Sequence, residues 1–427
     1  MGIVTAWRAL NRDQRNAYAA SLMGWMLDAF DYFLLVFVLK DVADEFHVPN
    51  ISLALTLTLA FRPIGALVFG LAADRWGRRG PLMVDIILYS ILEFLTGFAP
   101  TLTSFLVLRS LFGIAMGGEW GLGASLALET VPAEHRGLLS GLLQEGYVLG
   151  YLLAALVYGI AFPYVGWRGL FIIGVLPVML PIFILRRVKE SPVWMHQPRE
   201  TGWKPLVQEV QRNFPLFLYL VALMTAFNFM SHGTQDLYPT LLRADHHFST
   251  GLTSRIAIVY NIGALVGGMF FGGISQRIGR RRAIIIAAVL AIPLIRLWAF
   301  SPTALSLGIG AFLMQFMVQG AWGVVPAHLA ELAPAALRGT FIGFSYQCGN
   351  LIASSNASIQ THLAERSHAG YARAMAPVVA CALIGTAVIT ALGKEKKGIG
   401  LGQKEAVTPL NATRQRRGPE SYPSNSS

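Results

Sequence analysis

The sequence predicts an all-α membrane protein of twelve transmembrane helices in two six-helix, pseudo-symmetric bundles. Three observations predict it: apolar runs of spanning length, basic residues crowded on one side of the implied topology, and an internal repeat at a single offset. Of the 427 residues, 54% are hydrophobic and 13% charged, with mean hydropathy +0.53, whereas a soluble domain carries about 25% charged residues.

The apolar runs cover 17–39, 51–73, 81–99, 103–128, 138–162, 168–186, 214–240, 253–275, 283–300, 304–330, 341–363 and 371–392. This divides the chain into a first bundle (1–186), a polar linker (187–213), a second bundle (214–392) and a Lys/Arg/Ser/Pro-rich tail (393–427) expected to be disordered. The opening MGIVTAWRALNRDQRNAYAA is too polar for a cleavable signal peptide. Cys348 and Cys381 lie inside apolar runs without metal-type spacing, so neither disulfide nor zinc is expected, and no cofactor.

Charge placement gives the orientation. Arg8, Arg12, Arg15, Arg75, Arg78, Arg79, Arg136, the linker, the stretch 277–282, Arg338 and the tail fall on one side. The other side has only Lys40, Arg168, Arg243, Arg255, Arg366 and Arg373. The positive-inside rule therefore puts both termini in the cytoplasm of a cell bounded by this plasma (inner) membrane. The net charge of +11 reflects topology, so nucleic acid is not an expected partner.

The repeat is explicit. LAADRWGRRG (71–80) and GISQRIGRRR (273–282) align at an offset of 202, as do Glu129–Arg136–Gly137 with Glu331–Arg338–Gly339, and Trp120 with Trp322. Two parallel halves follow, with a site expected at the midplane between them. GLAADRWGRR resembles the loop signature of the major facilitator superfamily between its second and third helices. RSLFGIAMGGEWG resembles that superfamily's fourth-helix pattern, and the E-x6-R-G loops with ESPVW (190–194) resemble its sugar-porter and metabolite–proton symporter branches. The resemblance spans the chain and implies a transporter that works by alternating access.

Ionisable residues inside a membrane cost about 2.5–3.5 kcal/mol each on insertion scales, so each needs a reason. In NFMSHGTQDLYPT (228–240), at about 100° per residue, Ser231, Gln235, Asn228, His232 and Asp236 fall within one face about 140° wide. That face is expected to line a pore; hydrogen-bonded glue between helices is the plainer alternative. Pro239 is expected to bend the helix near its end. The stretch resembles the signature N-x-x-S-H-x-x-Q-D-x-x-x-T of lactate and pyruvate permeases in the sialate/carboxylate–proton symporter family. Asn228, Ser231, His232, Gln235, Asp236 and Thr240 all match. The resemblance implies roles in substrate binding and proton coupling, and a Gln/Asn pair resembling Gln347 and Asn350 in substrate recognition.

Arg62 offers a bidentate fork for a carboxylate, or it neutralises Asp28 or Asp31. Superposing the two IGALV strings puts Tyr260 in its place in the second half. Asp28 and Asp31, three apart, share a face, and two neighbouring carboxylates resist ionising together, which suits either to carry a proton. His232 is the rival carrier, since an imidazole ordinarily titrates near pH 6.5. Arg109 resembles the superfamily's fourth-helix arginine, which implies proton coupling; packing is the alternative, and Glu119 is considered with it. Gln144, Glu145 and Tyr147 are candidate cavity residues, the acid on the proton-coupling side. Asp85, Glu93, Arg296 and His328 are expected to be interhelical partners or snorkelling groups. Asp74, Arg75, Arg78, Glu129, Arg136, Glu190, Arg277, Glu331 and Arg338 are expected to form ion-pair latches at the cytoplasmic gate.

The expected function is symport of a small monocarboxylate, such as lactate or pyruvate, with a proton, by a chain functional as a monomer. The alternative within the family is a sialic acid or other organic-anion symporter. A drug–proton antiporter is disfavoured because EGYVLGYLLAALVYG lacks the expected proline. A non-transporting receptor leaves the polar face unexplained, and no phosphate loop, G-x-S-x-G or H-E-x-x-H supports an enzyme.

Overall fold

The structure, a computed structural model, describes residues 3–48, 51–196, 203–367, 370–398 and 401. Residues 197–202 of the predicted linker and the tail from 402 lie outside the described residues. The spanning helices are α1 (Arg12–Glu45), α2 (Ser52–Trp76), α3 (Arg79–Thr96) and α4 (Leu102–Met116, continuing as Glu119–Thr130). Then come α5 (Arg136–Gln144, continuing from Gly146) and α6, which begins where Gly166 (φ 62°) turns the chain back and runs through a 3-10 turn to Leu180–Arg187. The second half holds α7 (Phe214–Gln235, then Tyr238–Ala244), α8 (Thr250–Ile278) and α9 (Arg280–Phe300). It ends with α10 (Ala304–Leu332), α11 (Arg338–Ala353, then Asn356–Ser367) and α12 (Gly370–Leu392).

Among the described residues, nine helices are long and apolar enough to cross a membrane by composition. The other three fall short for visible reasons. α3 carries Arg79, Asp85 and Glu93, α6 is interrupted by its 3-10 turn, and α11 is polar and breaks near Ser354. In α3 the charged Asp85 and Glu93 are buried against protein while Val84, Ile87, Leu88, Ile91 and Leu95 form an exposed apolar face, so the polar groups of the helix are kept from lipid.

Within the halves α1 packs on α5, α2 on α4, and α10 on α8 and α9; between them α2 meets α11 and α5 meets α8. Glycines make the cross-half contacts close. A Cβ on Gly272 of α8 would sit 2.8 Å from the Gly137 carbonyl and 2.9 Å from Gly141 Cα on α5. Small residues at such seams let backbones approach where lipid offers no hydrophobic drive.

One end of the molecule is sealed by two swapped latches. Glu129 of the first half accepts from Arg78 of its own half (3.1 Å) and from Arg338 of the other (2.9 Å). Glu331, its repeat mate, accepts from Arg280 (3.0 Å) and, across the interface, from Arg136 (3.3 Å). Asp74 receives the backbone N–H groups of Gly339 and Thr340 at the start of α11, both at 2.9 Å. Gln276, at the same offset from Asp74, receives the Gly137 N–H at the start of α5 (3.1 Å). The side chains of the acids and arginines are all but fully buried, so each charge depends on its partner. Both described chain ends reach this face: Gln14 donates to the Thr130 carbonyl, and Arg338 to that of Leu401.

Several sequence expectations are corrected here. Arg277 is exposed and stands outside the latch; Arg280, three residues on, takes the buried place. Arg75 lies over the Trp76 ring, 5.9 Å from its centre. Glu190 does not bridge the halves either: it caps α3, accepting the Arg78 and Arg79 N–H groups at 2.8 and 3.1 Å. Inside the predicted tail, Glu395 caps α9 in the same way, accepting from Arg280 N (3.2 Å) and Arg281 N (3.0 Å). The caps occupy the space beside Gly77 (φ 100°) and Gly279 (φ 102°), positions only glycine adopts without strain. Arg62 has Ala264, not Tyr260, as its repeat mate, since α2 and α8 are continuous to ends at Trp76 and Ile278, 202 apart. No cation stands at either position.

Arg338→Ala leaves Glu129 short of a buried partner, a loss of about 3 kcal/mol or more. With spin labels at Glu134→Cys and Ala336→Cys, both native cysteines replaced, the latched-to-open ratio is expected to fall by roughly a hundredfold. An unchanged distance distribution would contradict the latch.

Candidate functional site

Polar groups of the two halves approach one another across the seam: Tyr346 of α11 lies within electrostatic reach of Arg62 of α2, and Asp236 of α7 within reach of Tyr32 of α1. From the first half, Arg62 on α2 donates to Asp28 on α1 at 3.0 Å, both almost fully buried. Arg62 Nε and the second Asp28 oxygen have no hydrogen-bond partner, so this pair has capacity left over for a ligand. Tyr32, Tyr147 and Tyr346 lie within electrostatic reach of Arg62. Tyr147 stacks on Trp25 (centroids 5.5 Å apart) and meets Phe33 edge-on at 5.2 Å.

From the second half, His232 on α7 joins Asp236 through Nδ1 (3.2 Å) and Asn350 on α11 through Nε2 (3.1 Å). An imidazole held at both nitrogens has a fixed orientation. The His232 and Asp236 side chains are 30% and 40% exposed, and Asp236 also reaches Tyr32 and Tyr147 electrostatically. The accessible edge of the site is thus on the α7 side, away from the latched face. α7 breaks after Gln235 and resumes at Tyr238, with Pro239 in its first turn, as the sequence led one to expect.

The polar face of α7 is divided among neighbours. Gln235 donates to Gln315 of α10 (2.9 Å), and Gln319 of α10 donates to Ser231 (3.3 Å). These contacts are interhelical glue, the plainer of the two readings. Asn228 departs from the pore-lining expectation: it is buried and donates to the Met224 carbonyl of its own helix at 2.9 Å. Thr240 lies beyond the break, and its side chain makes no hydrogen bond with described residues. Gln347 is 1% exposed, and neither end of its amide has a partner. Such a group costs about 1–3 kcal/mol unless something binds it.

The remaining candidates separate. Asp31 does not join Asp28 on Arg62; it is buried, its oxygens are unpartnered, and it interacts electrostatically with Glu93 and Arg109. Arg109 donates to Glu93 (2.6 Å) and Thr96 (2.8 Å) and lies 4.2 Å from the Phe112 ring centre, inside the first half and not at the shared space. Glu119 is buried with both oxygens unpartnered, touching Gly24 of α1. Glu145 abuts Gly268 of α8 at the seam between halves. Gln144 accepts from Trp120 Nε1 at 3.3 Å. Arg296 is exposed, and His328 is buried without a hydrogen-bond partner.

Sequence reasoning missed Tyr32, Tyr346, Gln315 and Gln319. A signal for Tyr346 existed: the repeat pair Trp120 and Trp322 both pack on it, with centroids 4.5 and 5.8 Å away.

With this geometry in place, comparison with known proteins is direct. The model of the Major Facilitator Superfamily matches residues 22–357. A carboxylic acid transporter protein homolog of Saccharomyces cerevisiae is 33% identical over 421 residues, covering 89% of this chain and 68% of its own. The sialic acid transporter NanX of Escherichia coli is 30% identical over 354 residues, covering 81% and 87%. A crystal structure of a double-tryptophan XylE mutant superposes with TM-score 0.74 at 19% identity, covering 90% of this chain and 97% of that one, a likeness of fold. The chain belongs to the major facilitator superfamily, and it is an integral, multi-pass membrane transporter.

Proposed function

We propose that the chain carries a small monocarboxylate together with a proton by alternating access between its two halves. Organic-anion transport agrees with relatives named for carboxylic acids and sialic acid. The observation that carries the finer reading is the buried Arg62–Asp28 pair facing the His232–Asp236–Asn350 triad across a tyrosine-lined space. A substrate carboxylate displaces Asp28 from the Arg62 fork, and Asp28 then takes the proton. Net charge in the buried pocket stays constant, which avoids the cost of an unpaired ion. His232 and Asp236, at the accessible edge, deliver that proton; the free amide of Gln347 hydrogen-bonds the substrate. The latched face is cytoplasmic by the positive-inside rule, so the site as seen opens to the outside of the plasma membrane.

Proteoliposome uptake of lactate under an imposed pH gradient tests this. Accumulation is expected to rise as the outer pH falls, because the carrier loads protonated. His232→Ala and Asp236→Asn each abolish gradient-driven accumulation while keeping the folded chain; normal accumulation by both would refute the site. Should sialic acid displace lactate with higher affinity, the larger organic anion is the substrate.

Arg62→Lys replaces a fork by a point charge, and a loss of lactate uptake of at least about tenfold is expected. Near-normal affinity would show that the anion binds elsewhere. Gln347→Leu separates binding from folding. It should weaken lactate binding while leaving thermal stability equal or higher, since it removes an unpaired buried amide. Lower stability with unchanged binding would assign Gln347 to the fold.

A further inference from the structure

At the latched face, between the start of α1 and the end of α6, lies a cleft of about 600 Å³, apart from the site described above. Its walls carry Arg12, Arg79, Arg186, Arg187 and Lys189 against only two acids, Asp13 and Glu190. Both acids are spent. Glu190 is committed to the backbone N–H groups of Arg78, Arg79 and Ser191, and Asp13 pairs with Lys189 at 2.7 Å. Arg79 donates through one terminal nitrogen to the Leu185 carbonyl (2.6 Å), and its Nε is buried without a partner. Arg12, Arg186 and Arg187 make no side-chain hydrogen bond or ion pair with described residues. Asn16, donating to the Arg187 carbonyl at 2.9 Å, ties the two walls together.

The cleft is also amphipathic. Leu185 and Met195 line it while remaining 62% and 50% exposed, and Ile182 and Met179, 42% and 57% exposed, continue that apolar surface along α6. Uncompensated guanidinium groups at the end of a spanning helix, directly beside exposed aliphatic side chains, fit a ligand with an anionic phosphate head and an acyl tail. We propose that this cleft binds the headgroup of one anionic phospholipid from the leaflet on the side of the chain termini. Its phosphate would be held by Arg12, Arg79, Arg186 and Arg187, and its acyl chain would lie along the α6 surface.

Native mass spectrometry of the purified full chain tests the assignment, with phosphatidylglycerol and phosphatidylcholine of matched acyl chains as probes. One phosphatidylglycerol is expected to survive activation that strips phosphatidylcholine. Arg186→Ala/Arg187→Ala should retain it at least about tenfold less, given the contribution of each basic group near an anionic surface. Arg186→Lys/Arg187→Lys, which keeps the charge, should retain most of it and guards against a folding artefact. Equal retention of the zwitterionic lipid, or full retention of phosphatidylglycerol by the alanine variant, would overturn the proposal. Displacement of the lipid by millimolar glycerol phosphate would assign the cleft to a soluble phosphate and overturn it as well.

Discussion

The two latches are the constraint on which the rest of the structure depends. Each buried glutamate, Glu129 and Glu331, holds one arginine of its own half and one of the other. Removing four or more charges from water is costly, and the cost is met only while both halves are in contact. In the proposed alternating-access reading the latched face has two states, fully paired as seen or opened to water where the same charges are solvated. A bistable element of this kind lets a ligand bias the whole molecule, provided it binds the two states unequally.

In the proposed reading the central site supplies such a bias. Its first-half side is an ion pair with spare hydrogen-bonding capacity, and its second-half side is an imidazole held by a carboxylate and an amide. Neither half alone encloses a small anion. The aromatic groups between them span the seam: Trp120 of α4 and Trp322 of α10 both pack on Tyr346 of α11. In the proposed reading a bound anion links the halves on the site side, while the latches link them on the terminal side. The proposed exchange of Asp28 for a substrate carboxylate on Arg62 keeps the pocket's charge fixed, which is why one proton accompanies one monocarboxylate in this account.

Much of this was legible in the sequence because the informative patterns are local or repeat at one offset. The apolar runs gave the spanning helices, and the loops at offset 202 gave the two-half architecture and both latch glutamates. The limits have physical causes. Arg277 and Arg280 belong to one basic run, and only the positive-φ turn at Gly279 decides which guanidinium points inward. Glu395 sits in a stretch whose composition suggests disorder, yet it caps a helix 115 residues away in the chain. Helical phase placed Asn228 on the polar face, but an amide in an apolar setting also satisfies itself on its own helix's carbonyl, and it does. Tyr32, Gln315 and Gln319 are unremarkable in sequence and join the site only because separate helices bring them together.

The central claim is that the latch at one face answers to anion and proton together at the other. Spin labels at Glu134→Cys and Ala336→Cys report the latched face directly. Their separation would be measured with and without lactate at about pH 6 and about pH 8, either side of the ordinary imidazole titration. The account predicts that lactate shifts the population toward the longer distance at the lower pH and leaves it short at the higher. Equal opening by lactate at both values, or none at either, would contradict it.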